Sequence, residues 1–215
     1  MKKLPVIDIA PLYDVNHPDY ADICNQIDQA CREWGFFYIS GYKPNHLAEV
    51  QSLAKEFFSK PLQEKLEIDI QKNKIAHRGY GALGVEQLNP DLPEDFKEIY
   101  DMGVHLEANH PEVINQEPLR GPNVYPNIEG WKVATEEYFD EMVDLAKILL
   151  NAMSHAIGLP QNYFDHCLQD SLCFLRLIHY PPTLDNTDSQ GFNAGTDRKS
   201  TRLNSSHLVI SYAVF

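Results

Sequence analysis

The sequence predicts an α+β fold, in which amphipathic helices are combined with short β-rich runs. Three stretches repeat apolar residues at intervals of three or four, as helices do: residues 19–34, 45–60 and 134–156. Three shorter runs are rich in β-branched and aromatic residues, as strands are: residues 6–9, 36–39 and 173–180. The alternation of the two periods along the chain is the basis of this assignment.

The N-terminal part is predicted to form a strand, a helix and a second strand. The first strand covers residues 6–9 and stops before Pro11, which cannot donate a backbone hydrogen bond to a sheet. The helix over residues 19–34 ends at Gly35, because glycine readily adopts the left-handed conformation that closes helices. The apolar run at residues 36–39 follows as the second strand.

Three aromatic residues at this junction are predicted to lie in the core. Trp34, Phe36 and Phe37 are large, and burying such side chains contributes much of the folding free energy. A second helix is predicted to start near Asn45 and to end before Pro61, whose ring is incompatible with a helix interior.

The remainder of the chain is predicted to contain a long loop region followed by helices and a strand. Residues 75–127 should be mostly loop with brief strands, since glycines and prolines punctuate them and periodicity fades. The longest helix covers residues 134–156 and stops at Gly158. A short helix over residues 161–168 and a strand over residues 173–180 follow.

The composition restricts the possible partners. The hydrophobic fraction of 43% and the aromatic fraction of 11% are typical of a globular domain. Asp and Glu outnumber Lys and Arg by 31 to 18, and the net charge of −13 repels nucleic acid backbones and anionic membranes. The sequence has no apolar run that suits a signal peptide or a membrane span. It therefore predicts a cytoplasmic protein that binds neither nucleic acid nor membranes.

The four cysteines are assigned no chemistry. Cys24, Cys31, Cys167 and Cys173 lack the spacing of zinc sites, and Cys31 occurs in an apolar helical pattern. They are expected to be buried thiols rather than disulfides or metal ligands.

Six short motifs occur in an order that is characteristic of one enzyme family. They are residues 4–9, residues 30–39, Arg78-Gly79-Tyr80, Asp95-Phe96-Lys97-Glu98, Gly121-Pro122-Asn123-Val124-Tyr125-Pro126, and Arg176-Leu177-Ile178-His179-Tyr180-Pro181-Pro182. The chain thereby resembles the isopenicillin N synthase-like family of Fe(II)/2-oxoglutarate-dependent oxygenases over nearly all of residues 4–196. The family commonly has Trp where Tyr125 occurs, and many members have Asn where Ile178 occurs.

The resemblance implies a fold and an activity. The fold is a double-stranded β-helix, or jelly roll, preceded by a helical layer, and this chain is expected to hold that layer and the first strands of an incomplete jelly roll. The implied enzyme uses Fe(II), dioxygen and 2-oxoglutarate to hydroxylate, desaturate or cyclise a small molecule.

Two residues inherit binding roles from the resemblance. Tyr180 is expected to contact the distal carboxylate of 2-oxoglutarate, to which its phenol can donate one hydrogen bond. The alternative is a strand tyrosine packed in the barrel wall. Arg78 is similar to an arginine that binds a substrate carboxylate in some members, and the alternative is a solvated loop arginine.

The metal ligands of the family are expected to be missing. They are a His-X-Asp turn and a later His, with an Arg-X-Ser that binds the cosubstrate. Residues 191–196 resemble the approach to that turn, but Asp197 has no His two positions before it. No other pair of histidines has a ligand spacing, so we assign no catalytic and no metal residue. The chain as given is predicted to be inactive and to bind neither iron nor 2-oxoglutarate tightly.

The last nineteen residues, 197–215, are expected to be a non-native tail. Residues 197–207 can be back-translated into a common sequencing-library adapter, and residues 210–215 into its continuation. This predicts three segments: a non-haem dioxygenase N-terminal region at 1–130, the long helix and the start of the oxygenase core at 131–196, and the adapter-derived tail. The alternative is a natural extension with a strand near residues 208–215.

Two other functions stay open at this point. One is a non-catalytic module that acts through protein contacts, since an incomplete sheet leaves strand edges that pair with other chains. The other is a parent enzyme of the type that does not need 2-oxoglutarate, such as isopenicillin N synthase or aminocyclopropanecarboxylate oxidase.

Overall fold

The helices begin and end close to the residues that the apolar periodicity marks. The computed structural model describes residues 3–85, 96–169 and 171–181, and the backbone of residues 207–213. Within these ranges the helices are α1 (Tyr20–Glu33), α2 (Leu47–Ser59), α3 (Leu62–Lys65), α4 (Pro111–Ile114), α5 (Trp131–Ala156) and α6 (Asp165–Gln169). The strands are β1 (Val6–Asp8), β2 (Tyr38–Ser40), β3 (Gly79–Gly81), β4 (Glu98–Gly103), β5 (Phe174–Tyr180) and β6 (His207–Ala213). This mixture of elements agrees with the predicted α+β class, and no helix in the described part is both long and apolar enough to cross a membrane.

The first of two units consists of residues 1–45 and 140–171. In it β1 pairs in parallel with β2, so that Ile7 lies opposite Ile39. Ile7, Ile9 and Ile27 are almost fully buried, and the second part of α5 packs against the same cluster. Burying one such side chain contributes about 1.5–3 kcal/mol, so burial of this cluster stabilises the unit.

The prediction that Phe36 lies in the core is wrong. The Phe36 side chain is 59% exposed, and β2 starts at Tyr38 instead of residue 36. Gly35 has a φ of +77°, so the chain turns there and Phe36 is left outside while Phe37 packs against the core. Trp34 is half-buried at the end of α1.

The second unit consists of residues 46–139 and 172–215. Its sheet has the order β3-β4-β5-β6, and all neighbours in it are antiparallel. On one side of the sheet an aromatic cluster joins Phe57 of α2 and Trp131 of α5 to Tyr100 of β4. The ring centroids are 5.2 Å apart for Phe57 and Trp131 and 5.0 Å apart for Tyr100 and Trp131. Such edge-on and tilted pairs stabilise the fold beyond the area they bury.

Two boundaries differ from the prediction, and some short helices were not predicted. The helix α5 begins at Trp131, three residues early, because the fully buried indole belongs to its first turn. The helix α6 begins four residues after residue 161. The helices α3 and α4, of four residues each, are too short to show a periodicity. Outside β3, β4 and α4, the described residues of the 75–127 segment form loops and turns, as predicted.

Part of the expected tail forms a strand. Residues His207–Ala213 constitute β6 and pair antiparallel with β5, with Leu208 opposite His179. The expectation that this tail derives from an adapter stays a prediction, because an edge strand pairs through its backbone and accepts many sequences. The division of the chain at residues 130 and 196 also stays a prediction.

The cysteine prediction is correct for two residues and wrong for two. Cys24 and Cys173 are buried, whereas Cys31 and Cys167 are exposed. Cys31 follows the buried Ala30 on α1, and one residue of helix rotates a side chain by about 100°. It therefore lies off the buried side of the helix.

Candidate functional site

The strands β4 and β5 carry chemically different residues on their two sides. Side chains alternate along a strand, and the register places Glu98 opposite His179 and Asp101 opposite Arg176. We call the side that carries Asp101, Phe174, Arg176, Ile178 and Tyr180 the Arg176 face. The other side, which carries Glu98, Leu175, Leu177 and His179, is called the helix face.

The helix face holds a buried carboxylate with three donors. Glu98 Oε2 accepts hydrogen bonds from Lys65 Nζ at 2.6 Å and from Tyr80 Oη at 2.5 Å. Glu98 Oε1 is 2.7 Å from His179 Nδ1. A carboxylate only accepts hydrogen bonds, so Nδ1 of His179 carries a proton. The strands β3, β4 and β5 and the helix α3 are thus joined at one carboxylate.

The donors determine the charge state of this carboxylate. Burial alone would raise the pKa of Glu98, but the hydrogen bonds from His179, Lys65 and Tyr80 outweigh burial and hold this pKa below its usual value. Burial and the hydrogen bond to Glu98 raise the pKa of the Tyr80 phenol. Glu98 is therefore ionised and Tyr80 is neutral near pH 7.

The Arg176 face holds a second buried carboxylate. Asp101 is 1% exposed, and its two oxygens accept from Arg176 Nε at 2.7 Å and from Arg176 Nη2 at 2.6 Å. His77 Nδ1 lies 3.2 Å from Asp101 Oδ2. The two-point contact fixes the plane of the guanidinium group, which a lysine at this position could not achieve.

Arg78 is buried directly before β3. Its guanidinium group donates to the backbone oxygens of Ala76 at 2.6 Å and Leu119 at 3.1 Å, and it lies 4.1 Å from the centroid of the Phe174 ring. Burial lowers its pKa to about 10. The alternative of a solvated loop arginine is wrong, because Arg78 is only 1% exposed. Binding of a substrate carboxylate by Arg78 stays a prediction.

Tyr180 ends β5. It lies two residues beyond Ile178 on the Arg176 face, and its side chain is half-buried. The backbone position opposite Tyr180 is His207 of β6. Contact of Tyr180 with 2-oxoglutarate stays a prediction.

Asn123 is an organising residue whose role the sequence did not reveal. Its Oδ1 accepts from Gly103 N at 3.0 Å, and its Nδ2 donates to Gly103 O at 2.7 Å. The buried amide thus extends the hydrogen bonding of β4 as a further strand would. The motif at residues 121–126 indicated a turn here, and its Asn was the available signal.

The described residues do not fit a facial iron site. They contain no group of three or more His, Cys, Asp or Glu side chains that could hold a metal ion. The two carboxylates of β4 that lie near a histidine, Glu98 and Asp101, are already bonded to Lys65 and Arg176. A carboxylate that neutralises a cation is a poor metal ligand. Asp95, the first residue of the motif at residues 95–98, and residues 191–197, which include the stretch that resembles the approach to the His-X-Asp turn, lie outside the described ranges.

Comparisons with known proteins agree on one family. The family described as "non-haem dioxygenase in morphine synthesis N-terminal" matches residues 4–128. The 2-oxoglutarate-Fe(II) type oxidoreductase hxnY of Emericella nidulans is 30% identical over 202 residues, covering 90% of this chain and 58% of hxnY. Clavatol oxidase claD of Penicillium crustosum is 31% identical over 209 residues, covering 89% of this chain and 62% of claD. The chain thus spans about three fifths of the length of these relatives.

Solved structures of one Neurospora crassa protein have the same fold. That protein, in complex with alpha-KG and in complex with alpha-KG and thymine, is 25% identical to this chain with a TM-score of 0.66. The likeness covers 83% of this chain and 54% or 55% of the Neurospora crassa chain. Since the family match covers more than half of the sequence, the chain belongs to the isopenicillin N synthase-like family of non-haem Fe(II)/2-oxoglutarate-dependent dioxygenases.

Proposed function

We propose that this chain is part of an Fe(II)/2-oxoglutarate-dependent oxygenase that acts on a small molecule in the cytoplasm. The observation that carries the proposal is the family match over residues 4–128, to which the likeness to the Neurospora crassa protein in complex with alpha-KG adds support. The complex of that protein with thymine and the name clavatol oxidase both concern small molecules. A small molecule is therefore the substrate class that the relatives favour.

Within this proposal Tyr180 binds the cosubstrate. Its position at the end of β5, on the same side as Ile178 and Arg176, supports this role because these residues form one continuous surface. The phenol supplies one donor for a carboxylate oxygen. For Arg78 the observed contacts favour a structural role. To bind a substrate carboxylate, the guanidinium group would have to give up its hydrogen bonds to the backbone oxygens of Ala76 and Leu119.

We further propose that the 215 residues do not turn over substrate by themselves. The support is chemical, because the described residues hold no group of three or more His, Cys, Asp or Glu side chains that could bind a metal ion, and both His–carboxylate pairs that involve β4 have a Lys or Arg already bonded to their carboxylate. In this proposal the iron ligands come from sequence that the longer relatives have and this chain lacks.

Fe(II) titration with a 2-oxoglutarate decarboxylation assay tests both parts. The chain alone is expected to release carbon dioxide at the background rate, and robust release would show that it holds a reactive centre. The source locus, read past Thr196, is expected to encode His-X-Asp, a later His and Arg-X-Ser. A chain extended with that sequence should decarboxylate 2-oxoglutarate. An extended chain with these ligands and bound iron that never releases carbon dioxide would contradict the oxygenase proposal.

A further inference from the structure

The strand β1 has one edge to which no described strand is added. Its neighbour in the first unit is β2, and alternate residues of β1 reach β2: Pro5 O accepts from Tyr38 N, and Ile9 N donates to Ser40 O, both at 2.9 Å. Successive residues of a strand point their backbone groups to opposite edges, so the N–H and C=O groups of Val6 point away from β2. Neither group forms a hydrogen bond with a described residue.

The position of Pro5 leaves this open edge able to pair. Proline on an edge strand normally has its missing N–H on the open side, which hinders pairing with other chains. Here Pro5 belongs to the residues that face β2, so the open edge keeps the donor and the acceptor of Val6. Such an edge can bind an added strand through main-chain hydrogen bonds.

A groove lies between this edge and one flank of α1. It has a volume of about 250 Å³, and it is formed by residues 5–7 together with Gln26, Gln29, Glu33 and Trp34 of α1. No residue of β2 lines it, so it lies on the open side of β1. Small-molecule sites enclose about 300–1,000 Å³, so this smaller groove suits the side chains of an extended peptide better.

The α1 side of the groove is acidic. Glu33 Oε1 accepts from Gln29 Nε2 at 3.0 Å, and Asp22 Oδ2 on the same flank accepts from Gln26 Nε2 at 2.8 Å. Both carboxylates are exposed, and neither is paired with a lysine or arginine of the described ranges. The whole chain has a net charge of −13. Local and overall charge therefore both favour a partner that carries lysine or arginine.

The side of β1 that faces away from α1 is apolar. Ile7 packs in the same core cluster as Ile27 of α1, so its neighbour Val6 points to the opposite side. Val6 lies beside Tyr38 in the strand register, and these side chains are 64% and 61% exposed. Phe36, two residues before Tyr38, is 59% exposed. The open edge thus lies between an acidic groove and an exposed apolar surface.

We propose that the open edge of β1 binds an extended segment of a partner protein in which apolar residues alternate with lysine or arginine. The side chains of an added strand alternate between the two sides of the sheet. The apolar ones extend the surface of Val6 and Tyr38, and the basic ones enter the groove beside Glu33. This surface belongs to the first unit, whereas β4 and β5 belong to the second, so the inference goes beyond the proposed function.

The test uses the 215-residue chain and a short acetylated and amidated peptide in which valine and lysine alternate. Isothermal calorimetry measures binding, and NMR measures hydrogen exchange of the Val6 amide. Saturable binding is expected, with exchange of this amide slowed at least roughly tenfold. A peptide of alternating valine and glutamate is the charge control and should bind at least roughly tenfold more weakly.

Methylated peptides test the main-chain hydrogen bonds. An added strand presents the N–H groups of alternate residues to β1 and directs those of the other residues away. Methylating the backbone nitrogens of only the valines, or of only the lysines, therefore blocks one edge of the same peptide. One methylated peptide should bind at least roughly tenfold more weakly, and the other should keep its affinity. Loss with both peptides, or with neither, overturns strand addition.

Substitutions in the chain locate the site. Val6→Pro removes an N–H that β2 does not use, so it should abolish binding while the circular dichroism spectrum stays that of the wild type. Val6→Ile keeps the N–H and is the matched control, which should bind like the wild-type chain. Glu33→Gln should weaken binding of the valine–lysine peptide several-fold, and it decides the matter if Val6→Pro does not fold.

The outcomes decide the proposal without reference to iron or to carbon dioxide release. Protection of the Val6 amide by the peptide, together with weaker binding in Glu33→Gln, supports it. Unchanged affinity in Glu33→Gln, equal binding of the two charge types, or a Val6 amide that exchanges equally fast with and without peptide overturns it. A Val6 amide that is protected in the peptide-free chain and loses this protection on dilution would assign the edge to a second copy, and would overturn it as well.

Discussion

Nδ1 of His179 donates a hydrogen bond of 2.7 Å to Oε1 of Glu98 between the paired strands β5 and β4. The other oxygen of the carboxylate binds Lys65 and Tyr80, so one buried ion orders residues from four elements. The His179 imidazole also lies 5.3 Å from the Phe58 ring of α2, centroid to centroid. The end of β5 that precedes Tyr180 is therefore anchored from the helix face.

Replacing Lys65 should destabilise the chain strongly. Lys65→Met removes the cation that neutralises Glu98 and leaves a buried carboxylate without its counter-charge, at a cost of about 3–5 kcal/mol. Lys60→Met is the matched control, since Lys60 only pairs with Glu64 at 3.3 Å near the surface, and its loss should cost less than about 1 kcal/mol. Urea unfolding measures both. Equal urea midpoints for the two variants would mean that the buried Lys65–Glu98 pair contributes no more stability than the surface Lys60–Glu64 pair.

The Tyr80 hydroxyl should contribute through the same carboxylate. Tyr80→Phe keeps the buried ring and removes one hydrogen bond to a charged acceptor, which is worth about 1.5–3 kcal/mol. Tyr163→Phe is the control, because that ring is exposed and the change should fall within about 0.5 kcal/mol. Thermal unfolding followed by circular dichroism gives the comparison. A Tyr80→Phe variant as stable as the control would exclude this hydrogen bond as a stabilising contact.

The sequence predicted local structure better than it predicted these contacts. The periodicity of α1 and the apolar run of β5 depend on residues near each other in the chain, and both elements were placed correctly. By contrast, Glu98 and Lys65 are separated by 33 residues and Glu98 and His179 by 81. Such pairs follow from sheet register, which a single sequence does not specify.

Arg78 shows the same limit for a single side chain. Its motif predicted the family, yet its burial under Phe174 depends on a strand about one hundred residues later in the chain. An arginine in a loop is ordinarily exposed, and the compensating carbonyl groups cannot be recognised from composition. The residue type was informative about the family, and the fold determines its environment.

The stability should depend on pH through Glu98. Its folded pKa is lowered, so the stabilisation is present above the unfolded value of about 4.3 and is lost as the pH falls through the folded pKa. Glu98→Gln should therefore cost on the order of 2 kcal/mol at pH 7, and this difference should shrink below about pH 4. Urea unfolding of both proteins between pH 3 and pH 7 measures it. A difference that stays constant over this range would contradict the assigned ionisation.

Gly103 should be intolerant of a side chain because of its contact with Arg78. A Cβ atom at Gly103 would lie 2.5 Å from Arg78 Nη2 and 2.8 Å from the backbone oxygen of Cys173, and both distances are shorter than van der Waals contact allows. Gly103→Ala should therefore cost about 1–3 kcal/mol, as overpacking does in other cores. Arg78→Met should also destabilise the chain, since the oxygens of Ala76 and Leu119 lose a charged donor.

Combining Gly103→Ala with Arg78→Met separates the steric clash between the two side chains from the destabilisation that each substitution causes by itself. Methionine is shorter and flexible, so Arg78→Met relieves the clash with the methyl group of Gly103→Ala. The double variant should therefore lose less unfolding free energy than the two single variants lose together, by at least about 0.5 kcal/mol. Ser59→Ala, at the exposed end of α2 where the hydroxyl donates to the backbone oxygen of Glu56, replaces Gly103→Ala in a control cycle and should be additive with Arg78→Met because the two side chains share no hydrogen bond. If the first cycle is additive as well, the predicted contact between Gly103 and the Arg78 guanidinium does not limit the packing of this strand.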